Sequence, residues 1–479
     1  MYDVAIVGCG IIGAAVAYEL SKYQLDIVIL EKENDVANGT SKANSGIIHA
    51  GFDPAPGSLM AQLNVEGNRL AKPLFERLDI PYKPCGSLVL TFSDAEVETL
   101  EDLLKTGRQN GVEGLEIWDR HTLLKREPHV SDKAKAALYA PSAMIVDPWE
   151  YTLALAETAV RNGATLLLEA PVTAIYKING GCYRLQSSNQ AVEARCVVNA
   201  AGLYADDIHN MVAAPAFDIR PDKGAYHLLD KHEGGRVNHV IFQCPTKAGK
   251  GVLVAPTVHG NLLVGPNNEK AAGRDDTAVT ADGLAYVVET AKKSVPHIDF
   301  STVIRQFAGN RAMTAHSDFV IAEAVGAAGF IDIAAIKSPG LSAAPAIAKM
   351  AARLLQNDGL ALEAKQSFIN TRTRVKFHQL SLDKKIKAVD ENNRYGHVVC
   401  RCETITEGEI EDALRAPIPP RSVDGVKRRC GTGMGRCQGG FCWMRLPDIV
   451  AEECGLELTQ VTKYGGVSNI LVEKNKAGF

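Results

Sequence analysis

The first thirty residues alternate between short apolar runs and a helical pattern of apolar positions. The run DVAIV (residues 3–7) predicts a buried strand, and AAVAYELSK (14–22) places apolar residues at helical spacing. A second apolar run, DIVIL (26–30), predicts another strand. Strand, helix and strand in this order are typical of a βαβ unit with parallel strands.

Three glycines lie between the first predicted strand and the helix, in the pattern G-x-G-x-x-G. Gly8 allows a tight turn, Gly10 lets the backbone approach a pyrophosphate, and Gly13 lets the helix pack closely on the strand. The helix N-terminus then directs free N–H groups toward the phosphates. Glu31, directly after the second strand, is placed to accept hydrogen bonds from a ribose diol. The sequence therefore predicts a dinucleotide site, and it contains no second copy of the pattern.

Further along the chain, helical and β-type patterns alternate again. SDAEVETLEDLLKTGRQNG (93–111) predicts a charged helix, and GVLVAPTVHGNLLVGPN (251–267) predicts strands. FIDIAAI (330–336) predicts a buried strand, followed by a turn and by the helix LSAAPAIAKMAARLL (341–355). A helix that begins at this turn directs its positive dipole end toward whatever the turn contacts.

Composition narrows the class of protein. The 479 residues are 46% hydrophobic and 23% charged, as in ordinary globular proteins, and the formal net charge of −4 argues against a nucleic-acid partner. No apolar run reaches the roughly 18 residues that span a bilayer, and no signal peptide is evident. Eleven cysteines, an odd number, favour a reducing compartment. We therefore expect a cytoplasmic enzyme of two or three domains.

The polar, glycine-rich stretch GTSKANSGIIHAGFDPAPGSL (39–59) is typical of a loop that lies against a flat ring. With the N-terminal glycines, VVNAAGLYADDI (197–208), AGNRAM (308–313) and IKSPGLSAAPAIAKM (336–350), it resembles a family. That family is the FAD-dependent glycerol-3-phosphate dehydrogenase and L-2-hydroxyglutarate oxidase group of the D-amino-acid oxidase superfamily. The resemblance extends over residues 1–355.

The resemblance implies that FAD is the dinucleotide and indicates which residues bind it. Ser41, Asn44 and Ser45 are expected near the pyrophosphate or the flavin ring, and Val172 beside the adenine. Gly340 and Leu341 are expected at the helix N-terminus that faces the N1–C2=O edge of the flavin. A helix dipole there would stabilise the reduced, anionic flavin.

An alcohol-oxidising flavoenzyme needs a base for the hydroxyl proton and a cation for an anionic substrate. His49 is the candidate base, because it lies in the loop expected at the ring and a neutral imidazole suits proton abstraction near pH 7. A histidine that only hydrogen-bonds loop backbone is the alternative. Arg311 resembles the family's active-site arginine and matches a phosphate or carboxylate, with a salt-bridge role as the alternative. For Lys223, Tyr226 and His259 we expect structural roles.

The substrate is predicted from the resemblance alone. The L-2-hydroxyglutarate branch typically carries a histidine in its version of the strand GVLVAPT, and this chain has none. The segment PGSL is usually followed by lysine, whereas Met60 stands here, so the usual anion-binding pattern is incomplete. Glycerol 3-phosphate is the leading prediction. A 2-hydroxy-acid dehydrogenase, an amine or amino-acid dehydrogenase, and a non-catalytic redox-relay subunit are the alternatives.

Five cysteines fall within the 43-residue window 400–442. YGHVVCRCETITEGEI (395–410) and VKRRCGTGMGRCQGGFC (426–442) resemble the bacterioferritin-associated-ferredoxin-like [2Fe–2S] domain. The resemblance implies four thiolate ligands in a C-x-C and a C-x4-C pair, namely Cys400, Cys402, Cys437 and Cys442. Cys430 is expected to be a bystander. A zinc site of four cysteines is the alternative.

Together these patterns predict an α/β (α+β) fold: a discontinuous Rossmann-like FAD-binding domain, an antiparallel-sheet substrate domain and a small helical C-terminal iron–sulfur domain. The predicted boundaries are FAD-binding 1–85, 146–215 and 315–357, substrate 86–145 and 216–314, linker or docking arm 358–394, [2Fe–2S] 395–460 and tail 461–479. Electrons would leave the flavin through the cluster to a redox partner protein or subunit. We expect a dehydrogenase that belongs to an oligomer or hetero-complex, and a peripheral membrane position is one option.

Overall fold

Two large β-sheets organise the chain, and each takes strands from separated parts of the sequence. The structure, a computed structural model, describes residues 1–188, 190–245 and 251–473. The first sheet has eight strands. They are Tyr2–Val7, Ile27–Leu30, Thr165–Leu167, Val172–Ile178, Cys182–Ser187, Ala191–Asn199, Val320–Glu323 and Phe330–Ala334.

The centre of the first sheet is parallel, as the βαβ pattern predicts. Tyr2–Val7 pairs with Ile27–Leu30 on one side and with Ala191–Asn199 on the other, both in parallel. Phe330–Ala334 continues the parallel pairing. The carboxyl ends of these strands therefore meet at one edge, where open α/β sheets bind ligands.

Helices cover this sheet and contribute most of the core of the FAD-binding region. Every residue of Ile11–Leu20 is buried, because the helix is enclosed by Pro148–Arg161 and Gly340–Asn357. The helices of the described residues are Ile11–Leu20, Leu59–Arg77, Asp94–Gln109, Arg120–Arg126, Pro148–Arg161, Ala205–His209, Ala281–Ser294, Gly340–Asn357, Leu382–Glu391, Glu407–Leu414, Val423–Cys430 and Leu446–Cys454. None of them is long and apolar enough to cross a membrane.

Among the residues that the structure describes, the second sheet has nine strands, and it corresponds to the predicted substrate region. They are Ser87–Thr91, Glu116–Asp119, Ala136–Ala140, Arg220–Leu229, Val240–Gln243, Leu253–Pro256, Leu262–Gly265, Glu269–Lys270 and Val303–Met313. The sheet is mostly antiparallel, but Ser87–Thr91 and Val240–Gln243 pair in parallel. The predicted antiparallel sheet is confirmed, and the parallel pair within it forms because two separate segments of the chain meet there without a hairpin. The domain boundaries themselves stay a prediction.

A small third sheet supports the loop that carries His49. Its strands are Ile47–Ile48, Tyr82–Lys83 and Met144–Val146, all antiparallel. Strands of two or three residues are too short to show an alternating pattern, so the sequence did not reveal this sheet.

The C-terminal region forms its own small core. Thr406 and Glu409 make the reciprocal capping-box hydrogen bonds at the start of Glu407–Leu414, as their spacing indicates. Pro447 lies in the first turn of Leu446–Cys454, where proline is tolerated. Ile410, Val426 and Ile449 are fully buried between the three C-terminal helices.

The charged segment that follows residue 357 docks on the FAD-binding region. Arg372 is buried there, and its guanidinium donates to Glu150 at 2.8 Å and to Glu157 at 2.7 Å. Arg374 also forms an ion pair with Glu150. Of the two predicted roles for this segment, linker or docking arm, these buried ion pairs favour the docking arm.

A second buried ion cluster joins the C-terminal region to the nucleotide-binding unit. Asp35 lies just beyond the strand Ile27–Leu30 and accepts from Arg428 at 2.7 Å and from Arg429 at 2.8 and 2.9 Å. Burial alone would raise the pKa of Asp35, but the two guanidiniums outweigh it and hold that pKa below its ordinary value. The carboxylate is therefore charged and bonded at neutral pH.

We expect Asp35→Asn to weaken docking of the C-terminal region, because it leaves two buried guanidiniums without a counter-charge. Breaking a buried ion pair by removing one partner costs about 3–5 kcal/mol. Denaturant unfolding should show a loss of this size, together with faster proteolysis near residue 395. Glu193→Gln, which removes an exposed partner of Arg184, is the control and should change the unfolding free energy by less than about 1 kcal/mol. Equal effects of the two substitutions would contradict the expectation.

Candidate active site and cluster site

A cavity of about 1320 Å³ lies between the two large sheets. Its wall includes the glycine turn, the loop of residues 38–49 and the start of the helix Gly340–Asn357. The strand Val303–Met313 closes it from the second sheet, and the C-terminal helix Val423–Cys430 also reaches it. The cavity is therefore lined by the predicted dinucleotide turn, the loop that carries His49 and the strand that carries Arg311, but not by the predicted cluster cysteines.

The glycine turn has the close approaches that the dinucleotide pattern requires. A Cβ atom on Gly13 would lie 1.9 Å from the carbonyl oxygen of Gly8, so no side chain fits there. Gly8 has a φ of +95°, and a Cβ on it would lie 2.7 Å from the Ala200 oxygen. Gly10 lines the cavity, where Ser41 Oγ accepts the backbone N–H of Ile11 at 2.9 Å. The turn is therefore a cradle that fits a pyrophosphate.

Glu31 lines the cavity at the carboxyl edge of the first sheet. Its carboxylate accepts the backbone N–H of Cys9 at 2.7 Å and that of Glu33 at 3.0 Å. Burial raises the pKa of the Glu31 carboxyl. Each carboxylate oxygen retains a further lone pair, so the group is oriented and still able to accept from a ribose hydroxyl. Val172, predicted beside the adenine, lines the same cavity.

The loop after residue 38 is shaped by its own side chains. Asn44 donates to the carbonyl oxygens of Thr40 and Ser41 at 3.1 and 2.9 Å and accepts from Gly46 at 2.8 Å. Ser41, Asn44 and Ser45 all line the cavity. Asn44 thus maintains the loop conformation as well as forming part of the wall.

His49 lines the cavity beside the start of the helix Gly340–Asn357. Its backbone N–H donates to Ser342 Oγ at 2.7 Å, and its carbonyl oxygen accepts from Asn68 at 3.1 Å. These two bonds fix the backbone on both sides of the imidazole. Gly340 and Leu341 line the same cavity, and their position at the flavin edge stays a prediction.

Arg311 reaches the cavity from the second sheet and is held loosely. Its guanidinium lies 3.3 Å from the Asp222 carboxylate and 3.3 Å from Asn268 Oδ1. Burial raises the pKa of Asp222, and the Arg311 charge opposes that shift. Long contacts of this kind leave a planar cation able to exchange them for a stronger anion. Tyr226 lines the cavity too, stacked on Phe307 at 4.8 Å between ring centroids.

Lys223 and His259, for which structural roles are expected, each have an acidic partner. Lys223 Nζ lies 2.9 Å from Asp276 and is buried. His259 Nε2 lies 2.7 Å from Asp147, the residue that caps the helix Pro148–Arg161. Neither Lys223 nor His259 is among the described residues that line the cavity. Structural roles for Lys223 and His259 stay a prediction.

The four predicted cluster cysteines form two pairs. Cys402 Sγ lies 3.4 Å from Cys437 Sγ, and a hydrogen bond from Cys442 lowers the pKa of the Cys400 thiol to about 6. Throughout residues 1–188, 190–245 and 251–473, no three potential ligand side chains converge as they would around one metal ion. Two cysteine pairs are compatible with two thiolate ligands on each iron of a [2Fe–2S] cluster.

Cys430 is engaged elsewhere. Its Sγ lies 3.0 Å from Thr432 Oγ1 and 3.4 Å from the Val426 carbonyl oxygen, and burial raises its pKa. The indole N–H of Trp443, by contrast, is buried with no acceptor in the described part of the chain. A Cβ on Gly439 would lie 2.5 Å from that nitrogen. An unused donor beside the paired cysteines fits an acceptor such as a cluster sulfide.

Comparison with known proteins agrees with this geometry. Residues 3–354 match the family model described as "FAD dependent oxidoreductase". The chain belongs to the FAD-dependent oxidoreductase family.

A second family model covers the other end of this oxidoreductase. Residues 398–452 match the "BFD-like [2Fe-2S] binding domain". The predictions of an FAD-binding domain and a [2Fe–2S] domain are thereby confirmed, whereas the individual ligand residues stay predictions.

Three similar proteins illustrate the match. The oxidoreductase is 48% identical to a "Glycerol 3-phosphate dehydrogenase" of Caloramator mitchellensis, across 100% of this chain and 99% of that one. It is 35% identical to a "Glycerol 3-phosphate oxidase" of Mycoplasma pneumoniae, across 74% and 94%. A solved structure of L-alpha-glycerophosphate oxidase from the same organism, with FAD bound, superimposes with a TM-score of 0.73 at 34% identity, covering 78% and 98%.

The cavity also includes basic residues that the sequence reasoning did not single out. Lys42, Arg305, Lys427 and Arg428 all line it. Lys427 and Arg428 belong to the run VKRR (426–429), which directly precedes Cys430. A short basic run is typical of a solvent-exposed helix face, so the sequence did not predict that this helix reaches the FAD-binding region.

Gly13→Ala should abolish retention of FAD, because its Cβ would collide with the Gly8 carbonyl inside the cradle. Gly39→Ala is the matched control, since a Cβ there has nothing within 4 Å although the residue lines the same cavity. The ratio of flavin to protein absorbance in the purified variants measures the difference. Full flavin content in Gly13→Ala would show that the cradle does not bind the pyrophosphate.

Cys437→Ser should lose the cluster, whereas Cys430→Ser should keep it, because only the first removes a sulfur from the two pairs. Iron content and visible absorbance after anaerobic purification provide the comparison. Loss of iron from Cys430→Ser would mean that the ligand set has been wrongly assigned.

Proposed function

We propose that this oxidoreductase oxidises the C2 hydroxyl of sn-glycerol 3-phosphate to the ketone of dihydroxyacetone phosphate. The observation that carries the proposal is the shared cavity, where the nucleotide cradle, His49 and Arg311 form one continuous wall. The full-length relative with 48% identity, named a glycerol 3-phosphate dehydrogenase, supplies the substrate class.

Arg311 is proposed to bind the phosphate. Its present partners, Asp222 and Asn268, lie at 3.3 Å and are weaker acceptors than a phosphate with two negative charges. Its guanidinium fork would hold two phosphate oxygens at once and so orient the rest of a three-carbon substrate.

His49 is proposed to take the proton of the substrate hydroxyl. The two backbone hydrogen bonds at His49 hold the loop in position, so the imidazole has a defined place on the cavity wall. FAD, when bound, supplies the two-electron acceptor for the hydride. Removing a general base costs about 10²–10⁴-fold in rate.

The iron–sulfur domain makes a dehydrogenase the better proposal than an oxidase. An iron–sulfur cluster accepts single electrons and passes them on. Since the chain has one predicted dinucleotide site, the cluster would be the route by which electrons leave the reduced flavin. We propose an acceptor protein or subunit as the destination, within a cytoplasmic or peripheral membrane complex. The oligomeric state belongs to the same proposal.

Anaerobic addition of glycerol 3-phosphate should bleach the flavin absorbance of the purified protein. Arg311→Met should lower kcat/KM by about 100-fold, mainly through KM, and His49→Gln should lower kcat by about 100-fold or more. Arg220→Met, which lies exposed on the neighbouring strand, is the control and should leave both constants unchanged.

A panel of other substrates separates the alternatives in the same assay. Bleaching by L-2-hydroxyglutarate, proline or sarcosine in preference to glycerol 3-phosphate would replace the proposed substrate. Flavin that no small substrate reduces would indicate a relay subunit instead of an enzyme.

A further inference from the structure

A helix of the iron–sulfur domain forms part of the wall of the FAD-binding cavity. Asp424, Lys427 and Arg428, all on Val423–Cys430, line it together with residues of the other two regions. The helix is held there by the buried ion cluster with Asp35. The cavity is therefore built from three parts of the chain.

Lys427 is a largely buried cation that is paired with none of the residues the structure describes. Only 7% of the residue is exposed, and its Nζ has no hydrogen bond or ion pair with any described residue. Lys223, which is similarly buried, is paired with Asp276 at 2.9 Å. Because Lys427 lines the cavity, its side chain is placed to meet a group bound there, and a cation in such a wall favours an anionic ligand.

The surroundings of Lys427 lower its pKa. Burial and the nearby cations Arg305 and Lys463 together lower the pKa of Lys427 to about 8, while Asp424 opposes the shift. Lysine beside several cations is the arrangement expected where an anion is to be bound.

Arg428 provides a second unused donor in the same wall. Its Nη2 is bonded to Asp35 at 2.7 Å, but its Nε is buried and has no acceptor among the residues described. Asp35 thus holds the guanidinium in place from one side, and part of its donor capacity remains unused.

We propose that Lys427, supported by Arg428, binds a phosphate group inside this cavity. Two sources are chemically equivalent at such a site: the diphosphate of FAD, and the phosphate of the substrate. The second source rests on the proposed function, and the first does not. In either case the iron–sulfur domain takes part in ligand binding at the flavin site as well as in electron transfer.

The test compares Lys427→Met with Lys384→Met in the full-length holoenzyme. Lys384 is an exposed lysine on the helix Leu382–Glu391 and is outside the cavity. One measurement is the rate at which FAD dissociates, followed by the rise in flavin fluorescence after dilution. The other is the dissociation constant of inorganic phosphate, followed by perturbation of the flavin spectrum, alongside KM for glycerol 3-phosphate.

An effect of about tenfold or more is expected for Lys427→Met and none for Lys384→Met, because a charge-assisted hydrogen bond is lost. Faster FAD dissociation identifies the diphosphate as the ligand. Weaker inorganic phosphate binding with a higher KM and unchanged FAD dissociation identifies the substrate phosphate. If Lys427→Met alters neither FAD dissociation nor phosphate affinity, the proposal is overturned.

Two further comparisons separate loss of charge from loss of fold. Lys427→Gln, which is polar and uncharged, should reproduce the effect if Lys427→Met fails to fold, and an unaltered Lys427→Gln overturns the proposal. Iron content should stay unchanged in a folded variant. A wild-type flavin that glycerol 3-phosphate does not reduce would refute the proposed substrate, yet FAD dissociation and inorganic phosphate affinity would still decide the role of Lys427.

Discussion

The bond between Asp35 and the two arginines Arg428 and Arg429 is the interaction on which the arrangement of the chain depends. It joins residues 393 and 394 positions apart, and both sides of it are buried. A buried ion cluster adds little net stability, because desolvation offsets attraction, but a misplaced partner is heavily penalised. The cluster therefore specifies where the C-terminal domain sits more than how strongly it folds.

That position has consequences for both kinds of chemistry. The helix bearing Arg428 also closes the cavity, so the nucleotide cradle and the iron–sulfur domain share a wall. On the other side, Arg436 bonds Asp230 at 3.0 Å, and Lys231 bonds Glu403 at 2.7 Å, which holds the cysteine loops against the second sheet. An iron–sulfur domain held against both large sheets keeps a constant position relative to the cavity, which suits the proposed role as an electron outlet better than a tethered, diffusing domain would.

Several features were predictable because their causes are local. The glycine turn, Glu31 at the strand end and the capping box at Thr406 each follow from spacing within a few residues or one βα unit. The parallel pair formed by Ser87–Thr91 and Val240–Gln243 was not predictable. Its strands are about 150 residues apart, and an apolar run reads the same whichever direction its neighbour takes.

The sequence by itself determined the chemistry available to this protein: a dinucleotide turn, a histidine loop, an arginine strand and paired cysteines. Those depend on residue type and spacing, which a chain displays before it folds. Tertiary structure alone decided that Lys427 and Arg428 belong to the flavin cavity. In the sequence, a basic run on a short helix indicates a solvent-exposed face. In the fold, this run pairs with a carboxylate from a distant loop and is buried. The physical reason is that burial, and with it the cost of an unpaired charge, is a property of the assembled fold.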